Sequence, residues 1–448
     1  MSFVPRLPFF RCVVHKTGKI DVDGYTQVEE IEKLKFAAAA EDSMLKIIVS
    51  PAVENGAFAH VKDWKWNYDS APAWYDKKFK SRVVAELKEK MEAFIVVGKE
   101  ISLLDSGECW LKDCYISEVS GTATIKVLAG NSEVELMKGK AAIKKMYGGS
   151  KIKKMRGHAS VFTMWAESRV EEMRDNTIVH CMLDDSIVDV MHDTALIKCM
   201  NGRSCVREQR GQSVINGMFD NSHVKTMRDE SRVNTLYISS FIDTMLDRTE
   251  IDVMRDRSKV EIVQDKAKVR LMENQAKISK LKGKAKLDEM KDMSCIHIAT
   301  DYTTINEVKN TASICNLSGQ AKVNKIGDKA KILKMDRYSK VLDAFDHAAI
   351  EKMAENAYVD KARDFVWIDE MYDFARINWA RDRVVINEMH GASNIGTISE
   401  SVVVDTMSDR SNITTMRGES FIKSMKDNAL VNFVMDEAHI INKQEGAV

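Results

Sequence analysis

The sequence predicts a mainly β protein, a long parallel β-solenoid with eighteen residues per coil, arranged as two nine-residue arms. The first observation is a nine-residue repeat that begins near Cys114 and runs without insertion or deletion to Ile440. The second is the third position of this repeat, which is Ile or Val in 36 of 37 units. The third is the absence of proline after Pro72. This absence indicates a long strand ladder, because such a ladder excludes a residue without an N–H donor.

The repeat has the form small–x–Ile/Val–x–x–Met–x–Asp/Gly–x, and its period distinguishes strands from a helix. Nine residues advance a helix by about 900°, so successive Ile or Val side chains would fall on opposite helix faces. β-Branched residues followed by an eighth position that is Asp, Gly or Asn in 31 of 36 units instead indicate short strands joined by turns. We expect positions one, three and six to point inward.

A second-order alternation sets the number of arms per coil. The sixth position alternates between Met and Ala from Met335 to Met389. Val replaces the small residue of position one at every second unit over Val366, Val384 and Val402. Residues i and i+18 are therefore predicted to be neighbours in a ladder. At roughly 4.8 Å per coil, about 18 coils would form a rod on the order of 90 Å long.

Residues 1–104 lie outside this regular repeat and are predicted to form a small α+β N-terminal domain. They contain all the prolines, a helix-like segment over residues 81–94 and an aromatic, turn-rich stretch over residues 64–75. Such a domain would cover an open end of the solenoid, which otherwise presents unpaired strands. The predicted solenoid occupies residues 105–441, and residues 442–448 form a C-terminal tail.

The charge composition favours no general electrostatic partner. Lys and Arg together number 67, as do Asp and Glu, so any nucleic acid or membrane surface would have to be bound by local patches. Eight Cys without a CxxC pair or a leading signal peptide predict a reducing compartment, the cytoplasm. The sequence has no apolar run of about 18 residues, so we expect no membrane span.

Motifs for catalysis or metal binding are not apparent, since GxxxxGK[ST], GxSxG, HExxH and GxGxxG do not occur. No unit carries an inserted loop for catalytic groups, and the turns lack the paired glycines of calcium-binding repeats. We therefore predict a non-enzymatic protein with no catalytic residues, no metal and no cofactor. Cys181 and Cys199, one coil apart, could form a disulfide or share a metal with His180 or His192, although small packing residues are the simpler interpretation.

Large aromatic side chains surround an acidic segment over residues 346–373, which holds eight acidic and three basic residues. They could form the hot spot of a protein interface, or they could fill volume left by Ala362 and Ala380 in the core. The position of Trp367 between two inward sites predicts that its side chain points outward. The candidate binding residues are Tyr358, Phe365, Trp367, Tyr372, Phe374 and Trp379.

Cations at the seventh position of alternate units form a second candidate surface, an anion or nucleic-acid ladder. Stacked cations repel one another unless anions compensate, and phosphates of a nucleic acid would do so. Neighbouring acidic residues such as Glu172 and Asp229 would do the same without a ligand. The ladder consists of Lys138, Arg156, Arg174, His192, Arg210 and Arg228. A second basic belt contains Lys259, Lys268, Lys277 and Lys286.

The unit Ser-x-Val-x-x-Met-x-Asp, as in residues 222–229, resembles nonapeptide repeats of uncharacterised bacterial and bacteriophage proteins, over about three quarters of the chain. The resemblance implies the fold and transfers no activity. From its surfaces we predict a non-enzymatic scaffold that binds a macromolecule. The resemblance implies that a phage or other mobile element encodes it, so that the expected cytoplasm is that of a bacterial cell or a phage-infected host. A protein is the first expected partner, nucleic acid the second, and the solenoid ends could mediate oligomerisation. The alternatives are an enzyme or ligand-binding module in the N-terminal domain, with the solenoid as spacer or oligomeriser, and a structural shaft of a virion or filament.

Overall fold

The computed structural model describes residues 9–17, 19–25, 44–50, 58, 64–68, 70–92, 94–444 and 446–447. Most of this chain forms a stack of about 19 parallel coils, each with two short strands, which confirms the predicted β-solenoid. The strands form two ladders of 20 strands each, and we call them the first sheet and the second sheet.

Consecutive strands alternate between the two sheets, so each sheet contains every second strand. The first sheet contains β5 (Ile95–Val97), β7 (Glu108–Lys112), β9 (Thr124–Ala129), β11 (Ala142–Met146), β13 (Ser160–Met164), β15 (Ile178–Met182), β17 (Leu196–Met200), β19 (Val214–Met218), β21 (Arg232–Leu236), β23 (Glu250–Met254), β25 (Lys268–Met272), β27 (Lys286–Met290), β29 (Thr304–Val308), β31 (Lys322–Ile326), β33 (Lys340–Ala344), β35 (Tyr358–Ala362), β37 (Arg376–Ala380), β39 (Asn394–Ile398), β41 (Asn412–Met416) and β43 (Leu430–Val434). The second sheet contains β6 (Glu100–Leu104), β8 (Tyr115–Val119), β10 (Glu133–Met137), β12 (Lys151–Met155), β14 (Arg169–Met173), β16 (Ile187–Met191), β18 (Cys205–Gln209), β20 (His223–Met227), β22 (Phe241–Met245), β24 (Lys259–Val263), β26 (Lys277–Leu281), β28 (Cys295–Ala299), β30 (Ser313–Leu317), β32 (Lys331–Met335), β34 (Ala349–Met353), β36 (Trp367–Met371), β38 (Val385–Met389), β40 (Val403–Met407), β42 (Phe421–Met425) and β44 (His439–Lys443).

The pairing register confirms the predicted length of the coil. From β8 onward each residue i pairs in parallel with residue i+18, as Val269 does with Leu287. The first coils are shorter, because Ile95 pairs with Trp110 and Ile101 with Ile116, so that residue i meets residue i+15. Between β7 and β9 the offset is 16 residues before a register shift at Cys109 and Trp110 and 17 residues after it, and the regular offset of 18 begins with the pairs β8–β10 and β9–β11. The first two strands of the solenoid therefore precede residue 105.

The core of the solenoid consists of positions one, three and six, as expected from the repeat. The Ile, Val and Met side chains at these positions are fully buried along the coils from β10 to β42. Buried Val366 and Val384 follow Ala362 and Ala380 across single turns, at the next inward position. The larger residue beside each small one keeps the layer filled, since close packing requires nearly constant volume.

The turns stack through a hydrogen bond that the repeat pattern did not reveal. Asp175 at position eight has a left-handed backbone with φ of 57°, and its Oδ2 accepts the N–H of Gly157, one coil earlier, at 2.8 Å. The same contact joins the N–H of Asp229 to Asp247 at 3.1 Å. Asp at position eight therefore tolerates the left-handed conformation and also binds the neighbouring turn.

The described N-terminal residues form a four-stranded antiparallel sheet and one helix. The strands are β1 (Phe9–His15), β2 (Ile20–Tyr25), β3 (Met44–Ser50) and β4 (Lys65–Asn67), in the order β2-β1-β3-β4. Helix α1 (Lys77–Glu92) begins after Asp76, whose Oδ1 accepts the N–H of Phe79 at 2.7 Å as an N-cap. Within the described chain no helix is long and apolar enough to cross a membrane.

This N-terminal unit packs against the outer side of the first coils. Val14, Ile47 and Val83 belong to one buried cluster with Trp110 and Val127 of the solenoid. Both solenoid residues lie in strands of the first sheet. The described contact is therefore lateral, on the outer face of that sheet.

Candidate binding surfaces of the solenoid

The rod presents two sheet faces and two edges to solvent. Edge one comprises the turns that follow strands of the first sheet, for example residues 363–365. Edge two comprises the turns that follow strands of the second sheet, for example residues 372–374. Positions i and i+9 therefore lie on opposite edges, whereas positions i and i+18 are neighbours on one edge.

The predicted aromatic site is divided between the two edges. Phe365 lies on edge one, with Trp379 at the end of a first-sheet strand and Trp367 at the start of a second-sheet strand beside it. Phe374 and Tyr372 lie on edge two, and Tyr358 begins a first-sheet strand beside that edge. Phe365, Phe374 and Trp379 are 45%, 56% and 37% exposed. The six residues thus form two separate groups rather than one patch.

On edge one the aromatic rings stack with cations rather than entering the core. The rings of His347 and Phe365 are 4.9 Å apart and nearly parallel, and the Arg383 guanidinium lies 5.0 Å from the Phe365 ring centre. A small cavity of about 130 Å³ lies beside them, below the roughly 300 Å³ that small-molecule sites usually occupy. Its lining residues are Asp343, Lys361, Ala362, Arg363, Trp379 and Arg381.

The half-buried aromatic residues have hydrogen-bond partners on their own sheets. Trp367 Nε1 donates to Asn387 Oδ1 at 3.3 Å, so the side chain lies on the outer face, as its position predicts. The Tyr358 hydroxyl donates to Asp360 Oδ1 at 2.8 Å, and burial together with this carboxylate raises the pKa of Tyr358 to about 12. These contacts hold both rings against the sheet surface.

The seventh-position ladder of cations is compensated by glutamates of the same coils. Glu172 contacts Arg156 at 3.3 Å and Arg174 at 2.6 Å. Glu208 contacts Arg210 at 2.7 Å and Arg228 at 3.1 Å. At the start of the ladder, Lys138 pairs with Glu118 at 2.9 Å. One carboxylate between two guanidinium groups offsets most of their mutual repulsion.

His192 occupies the middle of this ladder between two arginine-bearing coils. Burial, followed by the charge of Arg174, lowers the pKa of the His192 imidazole. The neutral ring therefore adds no positive charge to the ladder near neutral pH. Asp229, predicted from the sequence as a compensating anion, instead accepts a backbone N–H group of an adjacent turn, and Asp175 does the same.

A different group of cations forms a continuous strip, which we call the lysine corner. It consists of two adjacent columns of residues that extend over five successive coils. One column is position nine of the repeat, in the turns of edge two, and the other is position two, at the start of the first-sheet strands that follow these turns. The position-nine column is Lys266, Lys284, Tyr302, Gln320 and Tyr338, and the position-two column is Lys268, Lys286, Thr304, Lys322 and Lys340. Of the basic belt predicted from sequence, Lys268 and Lys286 belong to this corner, whereas Lys259 and Lys277 lie on the second sheet.

Most cations of the lysine corner have no acidic partner. Lys268 pairs with Asp288 at 2.5 Å, and this is the one ion pair that its lysines make within the described chain. Lys266, Lys284, Lys286 and Lys340 are exposed. Tyr302 and Tyr338 stand in the same line, each 59% exposed. The corner therefore combines two adjacent columns of mostly unpaired lysines with two exposed aromatic rings.

The sequence pattern predicts part of this strip but not its extent. Position nine and the following position two both point outward because the buried residue of position one separates them, as Ala285 does between Lys284 and Lys286. The backbone N–H of Tyr302 donates to the Gly283 carbonyl at 2.9 Å, which places Tyr302 directly after Lys284 in the stack. The feature of the sequence that indicates the lysine corner is the segment Lys-Gly-Lys-Ala-Lys over residues 282–286.

Comparisons with protein-family models, curated proteins and solved structures return no match for this chain. Across the part of the chain that the structure describes, no three His, Cys, Asp or Glu side chains converge to hold a metal ion. Among the described residues, the fold and the surfaces therefore define a β-solenoid with a basic strip, the lysine corner, most of whose cations have no acidic partner.

Proposed function

We propose that the protein is a non-enzymatic scaffold that binds single-stranded nucleic acid along the lysine corner. The observation that carries this proposal is the row of exposed, unpaired lysines in line with Tyr302 and Tyr338. Single-strand binding surfaces combine a positive track for the backbone with aromatic platforms for the bases. The lysine corner contains both elements, on adjacent columns of a continuous parallel ladder.

The spacing of the corner supports a linear polyanion as the partner. Adjacent coils are roughly 4.8 Å apart, so the five coils of the corner extend over about 20 Å in one direction. A regular row of cations attracts a polymer that carries one charge per repeating unit, and the released counterions favour binding. Every nucleobase has a flat face, so the exposed tyrosine rings would support stacking without sequence preference.

The other candidate surfaces support this proposal less well. The seventh-position ladder is neutralised by Glu118, Glu172 and Glu208. Arg363 on edge one is held by Asp343 with two contacts of 3.1 Å. The aromatic residues that favoured a protein partner are split between opposite edges. The lysine corner is the surface at which a ligand would gain most from electrostatic contact.

Neutralising four lysines of the corner tests the proposal. We expect the full-length protein to bind a fluorescent 20-nucleotide oligothymidylate at low salt. The quadruple Lys→Gln variant should bind at least about tenfold more weakly at 0.1 M salt. Its plot of log affinity against log salt should be shallower by about 2.8, because each lost phosphate contact removes about 0.7 from the slope. The substituted residues are Lys266, Lys284, Lys286 and Lys340.

A matched control variant changes the net charge equally at four lysines that are already paired with glutamates. Lys151 pairs with Glu171 at 2.6 Å, and the other three have similar partners. This control should retain the wild-type affinity and slope. Equal losses in both variants, or no binding by the wild-type protein, would refute the proposal. The control substitutions are Lys151→Gln, Lys153→Gln, Lys309→Gln and Lys352→Gln.

A further inference from the structure

Two cysteines lie directly opposite each other on adjacent coils of the first sheet. Cys181 in β15 and Cys199 in β17 both occupy position five and are paired in register. Neighbouring strands are roughly 4.8 Å apart, which lies within the range of about 4.4–6.8 Å that disulfides span between Cα atoms. Both side chains are partly exposed, so a small thiol reagent can reach them.

The surroundings distinguish the two sulfur atoms. Asn201 Nδ2 donates to Cys181 Sγ at 3.8 Å, and the Cys199 thiol lies where it can donate to the same sulfur or to the His180 carbonyl oxygen at 3.3 Å. The hydrogen bond from Cys199, supported by a smaller one from Asn201, lowers the pKa of Cys181 against the opposing effect of burial. The same pairing and burial raise the pKa of Cys199.

We propose that Cys181 and Cys199 form a redox-active dithiol, in which Cys181 is the attacking thiolate and Cys199 the resolving thiol. The geometry that carries this proposal is the in-register pair together with donors aimed at only one of the two sulfurs. Thiolates near neutral pH that are accessible and have an adjacent thiol are typical of reversible thiol–disulfide exchange.

The exchange partner is a low-molecular-weight disulfide such as glutathione disulfide. The Cys181 thiolate attacks one sulfur of this disulfide, the S–S bond breaks, and one glutathione thiolate leaves. Cys199 then loses its proton and attacks the Cys181 sulfur of the mixed disulfide, which releases the second glutathione thiolate. Two protein thiols are oxidised by two electrons, and the external disulfide is reduced to two thiols. The product is a disulfide that links two successive coils.

A second pair of cysteines provides an internal comparison. The sulfur atoms of Cys295 and Cys315 are 3.8 Å apart, but Cys295 pairs in register with Ser313, two residues before Cys315. Strand spacing and residue rise place their Cα atoms about 8 Å apart, beyond the roughly 7 Å limit for a disulfide. Burial, followed by the neighbouring Cys295, raises the pKa of Cys315 to about 11. Contact between two sulfur atoms is therefore not sufficient for a redox-active dithiol of the kind proposed for Cys181 and Cys199.

Treatment of the full-length protein with glutathione disulfide, followed by alkylation and peptide mass spectrometry, tests the proposal. We expect a disulfide between residues 181 and 199, and we expect Cys181 to react about fivefold faster than Cys205, because ionisation outweighs the lower nucleophilicity of its thiolate. Cys199→Ser should trap the mixed disulfide at Cys181. Cys181→Ser should leave Cys199 unmodified over the same period.

The variant Cys315→Ser is the matched control, and it should form the 181–199 disulfide at the wild-type rate. Thermal unfolding of every variant reports whether the solenoid is retained. Reaction of Cys181 no faster than Cys205 or Cys295 would overturn the proposal. So would a disulfide between residues 295 and 315 that forms as readily as the expected one.

Discussion

Replacing Val269 with aspartate is expected to destabilise the solenoid by about 3–5 kcal/mol, an effect large enough to prevent folding of the central coils. Val269 is fully buried at position three, and it pairs with Ile251 on one side and Leu287 on the other. A carboxylate at this point would have no cation or donor within the apolar column. The defect would also interrupt stacking toward both ends, since each coil is stabilised only by its neighbours.

Chemical denaturation of the Val269→Asp variant measures this effect. Lys277→Asp, at an exposed position on the second sheet, introduces the same carboxylate outside the core and should change stability by less than about 0.5 kcal/mol. Val269→Ile, which uses the other residue common at position three, should also be tolerated. An unfolding curve of Val269→Asp that coincides with the wild-type curve would show that position three does not face the core.

Replacing Asp175 with alanine is expected to cost about 2–3 kcal/mol through two separable effects. Alanine in the left-handed conformation that Asp175 adopts costs about 1–2 kcal/mol. Loss of the carboxylate also removes the acceptor of the Gly157 N–H, which contributes about 1 kcal/mol. Asp175→Gly removes only the acceptor, because glycine adopts this backbone without strain.

The order of stability should therefore be wild type, then Asp175→Gly, then Asp175→Ala. Denaturant midpoints of the three proteins, compared at unchanged slope, give this order. Equal stability of the alanine and glycine variants would indicate that the left-handed turn is not retained in solution. If the glycine variant were as stable as the wild type, the contact between the Asp175 carboxylate and the Gly157 N–H would not contribute to the stability of the turn.

The regular part of the fold can be predicted from the sequence because every repeat unit of a solenoid adopts the same local structure. The alternation of Met335 with Ala344 has a period of two units, and only a coil of two strands places the equivalent residues in one column. The first coils were not predicted, since residue i pairs there with residue i+15 and a register shift between Cys109 and Trp110 lies outside the repeat. Helix α1 begins at Lys77, four residues before the segment that its composition suggested.

The binding surfaces were less predictable for a geometric reason. Phe365 and Phe374 are close in sequence, but nine residues correspond to half a coil, so the structure places them on opposite edges. Conversely, Lys266 and Tyr338 are far apart in sequence and lie in one column, separated by four coils. Whether a cation is compensated also depends on rotamers, as when Glu172 contacts both Arg156 and Arg174. A nine-residue pattern contains no information of this kind.

The distance between spin labels at positions 225 and 423 tests the two-stranded coil most directly. Lys225 in β20 and Lys423 in β42 are exposed, occupy position four of the second sheet, and are separated by eleven coils. Labels can be attached through a ketone-bearing amino acid, which leaves the native cysteines unmodified. Eleven coils of roughly 4.8 Å each give an expected distance between the two labels of about 53 Å, which pulsed electron paramagnetic resonance measures. A separation of about 35 Å, as three strands per coil would produce, would contradict the two-stranded solenoid and the lysine corner built on it.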